Sequence, residues 1–273
     1  MSASDFPGCD VSTAAFSDIL ASLTQDAGAF RVESPEQWRQ GRTLFGGLSA
    51  SLAVACAKKA FPDLPPLRSA QMTFIAPVTA GLVLNPKIIR AGKSATFVNV
   101  DGVTEAGTAL QVMLVFGHAR QSNYSYRGLP MPRVELPDAL PNFFNGSFVP
   151  RFTDNFEARL AGGAVPASGA VKPECLAWLR HRDRSAPDDI ASLVVLGDAM
   201  PPAAMTMFAA FAPLSTITWS VDVLSDRISG AEWHLMHVEA ETLAEGYSSQ
   251  RMVLWDATGA PVLIARQNIA IFG

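Results

Sequence analysis

The sequence is poor in the features that mark several common classes of protein. Only 17% of its 273 residues are charged, the net charge is −4, and no stretch gathers lysines and arginines, so nucleic acid is not an expected partner. No apolar run is long enough to span a bilayer, and the first residues lack the basic start and apolar core of a signal peptide. We therefore expect a cytoplasmic protein that does not enter a membrane.

Cysteine is scarce and scattered. Cys9, Cys56 and Cys175 have neither the spacing of metal ligands nor the even number of a disulfide framework. Cys56 lies in an alanine-rich apolar run and is predicted to belong to the core. His234 and His237 are three residues apart on a predicted strand, so they point to opposite faces and do not suit a shared metal. We predict no metal and no cofactor.

What the sequence does contain is abundant apolar residues and a faint internal repeat. Hydrophobic residues make up 49% of the chain, which is enough for a large core. Residues 109–117 and 265–273 share four identities at matched positions, among them Gln111 and Gln267. Before each of these segments the same order of elements is predicted, one apolar helix and then four strands. The chain therefore divides into two similar halves.

The predicted elements follow each other regularly. Residues 45–60 form a helix that is apolar nearly all round, which is typical of a buried helix. Residues 187–200 form the second helix, with Ser185 as its N-cap. Turns at glycine and proline separate the predicted strands, which lie around residues 29–33, 68–76, 82–90, 95–104 and 108–117 in the first half and 148–160, 215–224, 233–243, 248–255 and 262–271 in the second.

Several short motifs occur in a fairly specific order. They are Arg42-Thr-Leu-Phe45-Gly46-Gly47, Gln71-Met-Thr-Phe-Ile-Ala-Pro77, Asp198 with its trailing prolines, Leu214-Ser-Thr216-Ile-Thr-Trp-Ser, Gly246-Tyr247, Leu254-Trp255-Asp256 and Arg266-Gln267. In this order they resemble the acyl-CoA thioesterase II family, the double-hotdog thioesterases. The resemblance covers about residues 42–273.

The element order and the resemblance together predict an α+β fold, a tandem (double) hotdog with two antiparallel sheets each wrapped around a long buried helix. We expect an N-terminal hotdog over residues 1–120, a linker over 121–147, and a C-terminal hotdog that carries the catalytic acid over 148–273. The two sheets can join edge to edge, which removes two exposed edges. The remaining exposed faces and edges favour a homodimer or a larger homo-oligomer.

A carboxylate in an unfavourable place marks the candidate site. Asp198 comes at the end of the second predicted helix, where the helix dipole disfavours an anion and the apolar surroundings tend to raise its pKa. A group held at such a cost is a candidate for chemistry, although an aspartate that reaches solvent at a frayed helix end is the alternative. The resemblance implies that Asp198, Thr216 and Gln267 together hold a hydrolytic water.

The strand pattern supports the two partners unequally. Gln267 lies within an apolar stripe of the last strand, so its amide needs a hydrogen-bond partner there, either a water with a carboxylate or a backbone group. Thr216 falls on the polar face of its strand, together with Thr218 and Ser220, either of which could supply the hydroxyl instead. Only a bulge or a strand end would turn Thr216 inward.

These assignments predict hydrolysis of an acyl-CoA thioester by water, with Asp198 as the general base. Backbone N–H groups at Gly46 and Gly47 would bind the substrate oxyanion, or the two glycines would only allow close packing of the helix. In the internal repeat, Lys59 of the first half occupies the position that corresponds to Asp198 of the second half. The first half therefore lacks the acid, and we expect one working site per chain. Two alternatives stay open: an acyl or acyl-CoA binding protein without turnover, and a thioesterase for another acyl carrier, such as an acyl carrier protein.

Overall fold

The computed structural model describes residues 15–145 and 149–272, so Cys9 lies outside the described residues. The helices are α1 (Phe16–Ser22), α2 (Gly46–Ala60) and α3 (Ile190–Gly197). The strands are β1 (Gln25–Asp26), β2 (Ala29–Val32), β3 (Arg39–Gln40), β4 (Thr43–Leu44), β5 (Leu67–Phe74), β6 (Leu82–Ala91), β7 (Ala95–Thr104), β8 (Gly107–Gly117), β9 (Phe156–Gly163), β10 (Glu174–His181), β11 (Leu214–Val223), β12 (His234–Ala244), β13 (Tyr247–Asp256) and β14 (Pro261–Ile271).

Twelve of these strands form one continuous sheet in the order β1-β2-β6-β7-β8-β5-β11-β14-β13-β12-β10-β9, and β3 and β4 form a separate small pair. The halves of the chain meet where β5 pairs antiparallel with β11, with Met72 opposite Trp219 and Ala70 opposite Val221. The two predicted sheets are thus joined edge to edge, as expected, into a single sheet. The reason is that β5 and β11 would each leave an unpaired edge, and pairing them satisfies the backbone groups of both.

The helices α2 and α3 pack against each other in opposite directions. Lys58, in the last turn of α2, forms an ion pair with Asp189, the N-cap of α3. At the other end of the pair, the first turn of α2 contacts Asp198, the residue that caps the C-terminus of α3. The apolar residues of both helices are almost all buried, because each helix packs against the sheet as well as against the other helix.

The second helix is shorter than predicted. It has eight residues, Ile190–Gly197, so the expectation of a long helix over 187–200 is wrong. Its N-cap is Asp189 instead of Ser185, because Asp189 has the extended backbone of a cap and its carboxylate accepts a hydrogen bond from the Ala191 N–H at 2.6 Å. The consecutive prolines after residue 200 disfavour helical conformation just before them.

Strand β10 is absent from the prediction, and β9 begins later than the strand predicted around residues 148–160 and ends three residues beyond it. The contacts of Trp178 explain why the sequence pattern does not predict β10. The linker segment covers the outer face of this part of the sheet. There the Trp178 indole on β10 donates to the Glu135 carbonyl at 2.9 Å, and the Trp255 indole on β13 donates to the Leu129 carbonyl at 2.9 Å. Because both faces are largely covered, the strand does not show a clean alternation of polar and apolar residues.

Cys56 lies in the core as predicted, and burial raises the pKa of its thiol to about 12.

Within residues 15–145 and 149–272, no helix is long and apolar enough to cross a membrane. In the same part of the chain, no three histidine, cysteine or acidic side chains are grouped so that they could hold a metal ion.

Candidate active site

A cavity of about 920 Å³ is lined by residues from both halves of the chain. The first half contributes residues 40–46, 74–78 and 109–110, and the second contributes residues from 198–202 and 211–216 among others. Two charged side chains of the described residues line it, Arg42 and Asp198. Seven lining side chains are phenylalanines, namely Phe45, Phe74, Phe143, Phe144, Phe152, Phe211 and Phe272. The cavity is therefore mainly apolar, with an acid in its wall.

Asp198 is fixed at this wall by the end of α3. It caps the helix, and its side chain lies deep in the protein with its remaining accessible surface turned to the cavity. Burial raises the pKa of Asp198 to about 7, against the opposing effects of a hydrogen bond from Gln267 and one from the Gly47 backbone N–H. The carboxyl group therefore changes between its neutral and charged forms near neutral pH.

Gly46 and Gly47 allow the start of α2 to reach Asp198. A Cβ atom on Gly47 would lie 2.8 Å from the Asp198 Cβ, and one on Gly46 would lie 3.1 Å from Asp198 Oδ2. Both glycines thus serve close packing. The Gly47 N–H bonds to the Asp198 carboxylate, whereas Gly46 also lines the cavity. The positive end of α2 and the negative end of α3 therefore meet at one carboxylate.

Gln267 is buried on β14 and contacts Asp198 directly. Its Nε2 donates to Asp198 Oδ1 at 2.5 Å, and its Oε1 accepts from Gln250 Nε2 at 2.7 Å. Both of these partners are side chains and not backbone groups. Its repeat counterpart Gln111 is exposed, with Asp101 as a partner at 3.5 Å. The sequence match between the two glutamines does not extend to their environments.

A β-bulge lies beside Thr216. Across the β11–β14 pair, Thr216 lies opposite Ile269, but Thr218 lies opposite Asn268. Ile217 is therefore an extra residue in β11, and the alternation of side chains changes face there.

The bulge decides which hydroxyl on β11 faces the site. Thr216 lies on the face of Ile269 and Gln267 because directly opposite residues share a face, and it lines the cavity. Thr218 and Ser220, the substitutes considered for its role, are exposed on the other face. The structure thus brings Asp198, Gln267 and Thr216 to one cavity and leaves Thr218 and Ser220 outside it.

Gln250 is a member of this cluster that the sequence analysis missed. It is fully buried on β13, directly opposite Gln267 on β14. A signal for it exists in the sequence, since Gln250 interrupts an inward-facing alternation with Met252 and Leu254, and a buried amide needs partners.

Comparison with known proteins identifies the family. The sequence model of the acyl-CoA thioesterase N-terminal domain matches residues 34–117, and that of the acyl-CoA thioesterase C-terminal domain matches residues 131–271, which is more than half of the chain. The chain therefore belongs to the acyl-CoA thioesterase family, and it is a thioester hydrolase. No curated protein matches the chain at a significant level.

Solved structures show the same fold at low sequence identity. A protein of unknown function with a hot dog fold from Alicyclobacillus acidocaldarius is 22% identical, with a TM-score of 0.86, over 94% of this chain and 97% of that one. Acyl-CoA thioesterase II TesB2 from Mycobacterium marinum is 18% identical, with a TM-score of 0.75, over 93% of this chain and 97% of that one. The fold is therefore of the hotdog type.

Proposed function

We propose that the protein hydrolyses acyl-CoA thioesters to free acid and CoA, with Asp198 as the general base. The observation that carries this proposal is the placement of Asp198, whose carboxyl group faces an apolar cavity and titrates at about pH 7. A base with its pKa near the working pH is ionised in a useful fraction and still takes a proton readily.

The reaction uses one water molecule and no covalent enzyme intermediate. Asp198 accepts a proton from water as the oxygen attacks the thioester carbonyl carbon. The Thr216 hydroxyl and the second N–H of Gln267 Nε2 orient this water. When the tetrahedral intermediate collapses, the C–S bond breaks and the thiolate leaves, taking the proton from Asp198. The N–H of Gly46, at the positive end of α2 and on the cavity wall, is the donor we assign to the oxyanion.

The two halves are two hotdog repeats in tandem, over residues 1–120 and 148–273, joined by the linker 121–147. Support comes from the similar element order of the halves and from the separate matches to an N-terminal and a C-terminal thioesterase domain. Lys59, which replaces the acid in the first half, bonds to the Leu23 carbonyl. The first half then supplies cavity wall, and the second half supplies the base.

The experiment that tests this function measures thiol release from a panel of acyl-CoAs of graded chain length, using the wild type and Asp198→Asn. We expect turnover by the wild type and a fall in kcat of about 10²–10⁴-fold in the variant, the usual effect of losing a general base. Asp222→Asn, which removes an exposed carboxylate from β11, is the matched control and should keep wild-type turnover.

Other outcomes separate the alternatives. Saturable binding of acyl-CoA without release of thiol would identify a binding protein. Faster turnover of the same acyl group on an acyl carrier protein than on CoA would identify a different carrier. Wild-type turnover in Asp198→Asn would remove Asp198 from the mechanism.

A further inference from the structure

Gln250 connects the Asp198 cluster to the backbone behind it. Its Oε1 accepts a hydrogen bond from the Ala203 N–H at 2.8 Å, and its Nε2 donates to Gln267 Oε1 at 2.7 Å. Gln267 Nε2 then donates to Asp198 Oδ1 at 2.5 Å. Gln250 does not line the cavity, so it has no contact with a molecule bound there.

This chain of bonds determines which way each amide faces. A backbone N–H can only donate, so the group of Gln250 that faces Ala203 must be its oxygen. The Gln250 NH₂ group is thereby turned to Gln267, and because NH₂ can only donate, Gln267 must present its own oxygen to Gln250. The NH₂ group of Gln267 is left to face Asp198. The orientation of both amides thus follows from one backbone group, not from a choice between oxygen and nitrogen at each side chain.

The orientation matters for the chemistry of Asp198. An NH₂ group facing the carboxyl bonds to its ionised form, which is the form that acts as a base. A reversed Gln267 would present its oxygen, and a bond would then require Asp198 to be protonated. We propose that Gln250 is a positioning residue, which holds the Gln267 amide with its donor group toward Asp198 and so keeps the base available. This inference rests on the proposed function of Asp198.

The surroundings of Asp198 contain few competing charges. Its described hydrogen-bond partners are Gln267 on β14 and the Gly47 N–H on α2, and neither is charged. Arg42, the other charged side chain on the cavity wall, is exposed. No ionisable group of the described residues contributes to the pKa shift of Asp198. A change in its titration after substitution of a neutral amide is therefore attributable to hydrogen bonding.

The test titrates Asp198 directly in the whole protein by NMR of ¹³C-labelled aspartate carboxyl groups, with the signal assigned by its loss in Asp198→Asn. Gln250→Met is the main variant, because methionine has similar length and no donor. We expect it to raise the pKa of Asp198 by about one unit, and thiol release at pH 6 to fall about tenfold with a smaller loss at pH 9. Unchanged titration of Asp198 would overturn the proposal.

A double-variant cycle distinguishes positioning from a general structural role. Gln250→Met should have little further effect on Asp198 when Gln267→Leu is already present, since Gln250 acts through Gln267. An equal effect in both backgrounds would contradict the proposal. Ser248→Ala, a buried neighbour on the same strand, is the matched control and should leave the titration as in the wild type.

The remaining outcomes are also decisive. If Gln250→Met does not fold, Gln250→Leu, which is also uncharged and has no donor, should raise the pKa of Asp198 in the same direction. A shift in Asp198 titration without any dependence of activity on Asp198 would refute the proposed function and keep the role of Gln250. Activity that depends on Asp198, with no shift of its titration in Gln250→Met, would keep the proposed function and refute the role of Gln250.

Discussion

Asp198 should make the stability of the protein depend on pH in a way that Asp198→Asn removes. The folded state raises the pKa of this carboxyl from 3.8 to about 7, so folding favours its protonated form. Protonation of Asp198 therefore adds to the free energy of unfolding. This contribution is complete below pH 3.8 and is lost as pH rises through 7. The whole shift corresponds to about 4 kcal/mol, and the part between pH 5 and pH 8 is about 2.5 kcal/mol.

The assay is urea unfolding of the wild type and Asp198→Asn at intervals from pH 5 to pH 8, followed by circular dichroism. Asparagine cannot ionise, so the free energy of unfolding of the variant should gain about 2.5 kcal/mol on that of the wild type across this range. Asparagine has one acceptor oxygen where the carboxylate offers two to its donors, but that cost is the same at every pH and leaves the difference in slope unchanged.

Groups elsewhere in the chain titrate in both proteins and cancel in the comparison. Asp222→Asn, which removes an exposed carboxylate from β11, is the control for the loss of one carboxylate and is measured in the same way. Parallel curves for Asp198→Asn and the wild type would show that Asp198 is not held at a cost in the folded protein. Asp198 would then lack the raised pKa that suits a general base near neutral pH.

Three further outcomes are expected. Thr216→Val should lower kcat at least about tenfold, while Thr218→Val, two residues away on the outer face, should keep wild-type rates; equal effects would contradict the assignment of the bulge. Gly47→Ala should lower both activity and thermal stability because its Cβ meets the base, whereas Gly81→Ala, where the nearest atom is 3.6 Å away, should change neither. Cys56 should react with a maleimide only after unfolding, as mass spectrometry of the labelled peptide would show.

The regular elements were predictable because their patterns are local. Strands β6 and β7 agree with the prediction to within a residue at each end, since glycine-containing turns and a run of strand-forming side chains mark them. The helix α2 was predicted for the same reason, as an unbroken run of small apolar residues. Strand β10 was not, because the residues that cover its outer face come from a distant part of the chain.

The site was predictable only in part. Asp198 is visible from its position after an apolar helix, and Gln267 from its place in an apolar stripe. The inward turn of Thr216 depends on a one-residue offset between two strands, and nothing in the residues around it specifies that offset. Gln250 depends on a partner 17 positions away and on a backbone group of another segment, so its role appears only when the strands are paired.

The antiparallel pairing of α2 and α3 gives the molecule two chemically opposite poles. At one pole, Asp189 finds a lysine from the neighbouring helix, and the two charges neutralise each other. At the other pole, the acid finds only uncharged donors, so its proton stays exchangeable. In the proposed mechanism, one pole of the helix pair thus holds the two helices together and the other carries the chemistry. Replacing a neutral residue beside Asp198 with a cation would give the second pole an ion pair like the first.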